Sequence, residues 1–213
     1  MKTDEFAELL ARGGASLPGR TDGYRRAALL LLGFLGSLVV TRAALGWNPA
    51  LAQNLALPMF WIKEGFCLSL AAAGVVAALR LGRPGRSAGR APAGIVGALG
   101  AMALLGAWVL YLAAPGERRD LIMGQTALVC PLLIALVCVP AFLAIFAVLR
   151  GLAPTRLGAA GAAAGFAAGS LGALAYSFHC PELGAPFLAV WYALGILLPT
   201  AAGAWLGPRV LRW

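Results

Sequence analysis

Acidic residues, histidine and long polar stretches are all scarce in this chain. Eight aspartates and glutamates stand against seventeen lysines and arginines, and His179 is the only histidine. One histidine excludes a bis-histidine haem or a histidine-rich metal cage within a single chain. Charged residues make up 12% of the 213 positions, too few to cover the surface of a soluble domain of this length. The four cysteines include no C-x-x-C, the arrangement on which membrane thiol oxidoreductases rely for exchange chemistry. A quinone-linked thiol–disulfide oxidoreductase is therefore a disfavoured alternative.

What the chain has instead is apolar sequence, 61% of all residues. It falls into six blocks, at 27–45, 58–79, 93–114, 127–149, 157–178 and 187–206. Each is close to the roughly 20 residues that a helix needs to cross hydrocarbon. Asn48-Pro49, Arg83-Pro84-Gly85, Pro115-Gly116, Ala153-Pro154 and Cys180-Pro181 supply turns between them. The expected fold is all-α, a polytopic bundle of six transmembrane helices (27–213) behind a polar segment, 1–26. That leading segment has no apolar h-region or small-residue cleavage site, so the first helix is expected to stay as an anchor. Within it, Phe6, Leu9 and Leu10 follow i, i+3, i+4 spacing, with Asp4 and Glu5 early in the same short helix.

The net charge of +9 does not form a basic stripe for nucleic acid; it sits in short loops. Thirteen of the seventeen basic residues fall on one side of the six-span arrangement, in 1–26, 80–90, 150–156 and 209–212. The positive-inside rule makes that side cytoplasmic and, with an even number of spans, puts both termini there. The protein is thus expected to be a multi-pass protein of the bacterial inner membrane. Trp47, Trp61, Trp108 and Tyr111 near the outer interface, with Trp205 and Trp213 near the inner one, form an aromatic belt.

Residues able to carry chemistry are few. Lys63 and Glu64 lie near the outer end of the second span, where they are expected to snorkel or pair with neighbours. Neither a discontinuous helix nor a mid-membrane carboxylate is evident, which counts against a small-molecule transporter. His179, Cys180 and Glu182 cluster in an outer loop and suggest transient binding of a thiophilic metal. Cys67 and Cys138 fall inside helices, as packing thiols usually do. Cys130 and Cys180 fall at the oxidising face, and the fifth span returns the chain to bring them within reach. They are either a redox couple or two unrelated packing thiols. Gly161, Gly165 and Gly169 make a small-xxx-small face that serves packing within the bundle or, alternatively, a homodimer seam.

Six segments are familiar: Met1–Phe6 with Leu9-Leu10, Pro58–Lys63, Ala153–Arg156, Phe178-His179-Cys180-Pro181-Glu182, Val190–Ile196 and Gly207–Trp213. With them the chain resembles the NrsF-like family, negative regulators of an extracytoplasmic-function (ECF) sigma factor. The HCPE segment and the Trp-Tyr helix after it are the specific ones. The resemblance implies a membrane anti-sigma factor without catalytic residues or a cofactor. Its cytoplasmic N-terminal segment would retain the sigma factor through Asp4, Glu5, Phe6, Leu9 and Leu10. It further implies that two outward-facing cysteines, here Cys130 and Cys180, sense oxidants or transiently bind heavy metals, with His179 and Glu182 in the sensor loop.

Overall fold

The computed structural model describes residues 20–212, so the expected partner-binding residues Asp4, Glu5, Phe6, Leu9 and Leu10 lie outside the described residues. Every regular element described is helical. The first span is α1 (Arg20–Val40), extended by a π-helical turn, Thr41–Leu45. A short α2 (Leu51–Asn54) leads into the second span, α3 (Pro58–Leu81), and α4 (Ala91–Leu112) is the third. After α5 (Arg118–Met123), the fourth apolar block forms α6 (Cys130–Val137) and α7 (Val139–Arg150). The fifth span is α8 (Leu157–Tyr176). The last begins with α9 (Ala185–Phe187), passes through a π-helical turn, Leu188–Tyr192, and continues as α10 (Ala193–Val210).

Five of these helical stretches are long and apolar enough to cross a membrane, six when α6 and α7 count as one span. Proline opens many of them: Pro58, Pro92, Pro131, Pro140 and Pro186 each occupy the first or second helical position. The missing amide costs nothing there, because the first turn has no intrahelical acceptor for it.

Pro140 has a second effect, which corrects the expectation of continuous helices. It cannot donate to the carbonyl of Leu136, and the fourth span breaks at Cys138 with a bend of 47°. The Cys138 thiol donates to the Ala135 carbonyl at 3.1 Å, filling an acceptor in the interrupted turn. A discontinuous span is therefore present, although none was evident in the sequence.

The bundle is built around α8, which packs against α10, α3, α7 and α6. Its contact with α10 is backbone to backbone. A Cβ added at Gly161 would run into the carbonyl of Gly203, and one at Gly165 into that of Pro199. Gly169 lies against Pro199 and Ile196 in the same way. Lipid offers no hydrophobic drive for helix association, so this close approach supplies dispersion contacts in its place. The face of Gly161, Gly165 and Gly169 is thus filled by α10 of the same chain, which leaves no free seam there for a second copy.

Two apolar clusters result. One, around Ala78, Leu149, Ala160 and Leu211, lies towards the arginine-bearing ends of the spans. The other gathers Phe66, Cys67, Leu70, Cys130, Ile134, Tyr176, Cys180, Phe187 and Tyr192 at the opposite end. Outside the bundle, Trp47, Trp61, Trp108, Tyr111 and Trp205 are exposed, as an aromatic belt requires.

Candidate functional site

Three of the four cysteines converge in the second cluster. Cys67 comes from the third turn of α3, Cys130 opens α6, and Cys180 sits in the connection after α8. All three are free thiols with no exposed surface. Cys130 and Cys180 are buried in the same cluster, close enough for the Cys130 thiol to bear on the protonation of that of Cys180. The Tyr192 hydroxyl is buried without a well-formed partner and lies beside the Cys180 sulfur. Tyr176 completes the enclosure, its ring 6.1 Å from that of Tyr192.

Lys63 forms the polar wall of the site. It does not snorkel: its side chain is 0% exposed. The ammonium donates to the carbonyls of Ser177 at 3.0 Å, Cys180 at 3.2 Å and Glu182 at 3.4 Å. Ser177 is the capping residue at the end of α8, so the cation sits where the helix leaves its carbonyls unpaired and its dipole is negative. Burial of an ionisable group in a span points to function. That signal was present in the sequence, but an assumed route to the surface concealed it. Glu64, next to it, is half-buried and has one carboxylate oxygen enclosed without a partner.

The Cys180 thiol is held below the usual thiol range. The chief cause is the hydrogen bond from the Cys130 thiol, helped by the charge of Lys63, the Glu182 amide and the Tyr192 hydroxyl, against the opposing effect of burial. The two thiols are therefore unlike, one poised as nucleophile and one as donor.

His179 and Glu182 do not join Cys180 in a ligand set. His179 Nδ1 is 3.0 Å from the Gly46 carbonyl, and so carries the proton that ties this loop to the end of the first span. Glu182 turns the other way and accepts the Gln125 amide at 2.7 Å. Among the described residues, no three histidine, cysteine or acidic side chains come together as a metal site. The expected three-residue metal cluster is thereby corrected: backbone partners draw its side chains apart.

Glu182 nevertheless serves the site. Its carboxylate lies over Gly124, which has φ +51°, and holds the turn that precedes α6 and Cys130. A charge-assisted bond of this length contributes about 1.5 kcal/mol where half-buried. Glu182→Ala should thus slow closure of the Cys130–Cys180 bond about tenfold, because the pair spends less time in register. Diamide-driven closure followed by acid quench measures this, and Glu182→Gln, which keeps an acceptor, should fall between the two.

The model of a family described as "Negative regulator of sigma F" matches residues 10–213. The "Probable anti-sigma-F factor NrsF" of Azospira oryzae is 42% identical over 213 residues, covering 100% of both chains. The chain belongs to the NrsF family. A second relative, the "Anti-sigma-F factor NrsF" of Caulobacter vibrioides, is 36% identical over 223 aligned positions, again with 100% of both chains covered. No solved structure matches. Membership makes this chain a regulator rather than an enzyme.

Proposed function

We propose that this NrsF-family chain is a membrane-bound anti-sigma factor of the bacterial inner membrane that sequesters an ECF sigma factor at its cytoplasmic side. Both termini are cytoplasmic in this reading, on the strength of the arginine bias, and segment 1–26 retains the sigma factor. The relatives' names support the partner class. Release follows when Cys130 and Cys180, on the periplasmic side, are joined. The observation that carries this is the burial of Cys130, from the start of the fourth span, together with Cys180, from the connection after the fifth, at the end of the bundle away from the arginine-rich loops.

Joining them as a disulfide removes two electrons and two protons, which pass to a peroxide or to a disulfide oxidant. A thiophilic cation would act at the same place by displacing two protons. Either event distinguishes two states of the bundle. Moving such an equilibrium from 1:99 to 99:1 requires about 5.5 kcal/mol of differential stabilisation.

The test is to quench cells with acid before and after oxidant or heavy-metal exposure, then denature, alkylate and weigh the protein, with a sigma-dependent reporter read in parallel. Supporting results are two free thiols at rest and loss of both as the reporter rises. A reporter that rises while both thiols stay free overturns the reading.

A further inference from the structure

An ammonium without exposed surface needs about three acceptors, and Lys63 draws all of its from one short piece of chain. One acceptor closes the end of α8; the other two lie on and just after the residue that carries the reactive thiol. Lys63 is on α3, so these bonds fasten the Cys180 loop to the second span. His179 fastens the same loop to the first span through Gly46, and Glu182 fastens it to the turn before α6. Of the three ties, that of Lys63 alone uses the carbonyl of Cys180 itself.

The two free sulfurs must approach to 2.03–2.05 Å to form a disulfide. Cys130 stands in the first turn of a helix, followed by Pro131 and packed with Ile134 in the core. Cys180 stands in an irregular connection, so the approach is made by its loop. Turning that loop carries the Cys180 and Glu182 carbonyls off the Lys63 ammonium. A buried donor that loses its acceptors is strongly disfavoured, and the disulfide state must accept this or move the outer turns of α3.

We propose that Lys63 is the positioning residue of the cysteine pair, fastening the Cys180 loop to the second span while the thiols are free and losing that hold when they are joined. The proposal rests on the reading of Cys130 and Cys180 as the sensor. The reaction that exposes it is exchange with glutathione disulfide: both protein thiols are oxidised to one S–S bond, and two molecules of reduced glutathione are formed.

Full-length protein in lipid nanodiscs is equilibrated in glutathione buffers, and the dithiol and disulfide forms are counted by mass. Lys63→Met removes a tie present only in the dithiol form, so its disulfide should be favoured about tenfold more than in the wild type. Lys63→Gln, still able to donate, should shift less. Equal constants for the wild type and Lys63→Met overturn the proposal. Should the variants fail to fold, hydrogen exchange in the two forms of the wild type decides the matter. Amides of 58–66 and 177–182 are expected to exchange faster together once the disulfide closes; exchange at 58–66 that ignores the bond overturns the tie. The sensor reading fails separately: a Lys63-dependent shift in the buffers, with a reporter indifferent to serine at both cysteines, retires the sensor and leaves the tie standing.

Discussion

Gly165→Leu should cut the amount of folded protein in the membrane several-fold or more. The α8/α10 contact at this position is backbone against backbone, with the Pro199 carbonyl where a side chain would begin. Overpacking a site whose neighbours are flexible side chains costs about 1–3 kcal/mol. Here the neighbour is main chain, so relief requires the two helices to part. Parting them would strip Gly161, Gly203 and Gly207 of their contacts as well. A penalty of at least about 3 kcal/mol against a native margin of about 5–15 kcal/mol makes the loss severe. Gly100→Leu is the control, since no atom lies within 4 Å of a Cβ built there. Abundance of a C-terminal fluorescent fusion and thermal stability in detergent measure both. Equal behaviour of the two variants would mean that α8 and α10 are not in this close contact.

Cys180→Ser should give a protein that represses normally and no longer responds. Serine has nearly the volume of cysteine and can still lie among Cys130, Tyr176 and Tyr192, so the resting bundle is kept. It cannot form the sulfur–sulfur bond, and the differential term of about 5.5 kcal/mol for the switch disappears with it. Reporter output should stay at the uninduced level at every oxidant dose, and Cys130→Ser should behave alike. Deleting residues 2–12 should do the opposite, with full output without stimulus from a protein still inserted in the membrane. A graded response in the serine variants, or retained repression in the deletion, would place the switch or the partner surface elsewhere.

The six apolar blocks were legible because span length and turn residues are local properties. The observed helices depart from the expected blocks by up to four residues at their ends, except that the first begins seven residues earlier, at Arg20. The break at Cys138 was less visible. Pro140 is in the sequence, but prolines at the starts of α3, α4 and α6 bend nothing, and only the packing decides which proline interrupts a span. Topology allowed Cys130 and Cys180 to approach without deciding that they do, whereas the hydroxyls of Tyr176 and Tyr192 and the thiol of Cys67 gave no such signal, because helix rotation is set by neighbours. His179 and Glu182 misled for a related reason: adjacency along a loop says little about direction once each side chain has a backbone partner. Lys63 showed the converse, a residue whose burial became visible only when the carbonyls at the end of α8 were in place.

The fourth span and the fifth are mechanically unlike. The fourth has a joint at Cys138, and its lower half packs against α1. The fifth runs without interruption from Leu157 to Tyr176, clamped to α10 along its length and gripped at its end by Lys63. If the thiols are joined as proposed, the unbroken helix rather than the jointed one is the member able to carry the displacement across the membrane, towards Arg156 and Leu157.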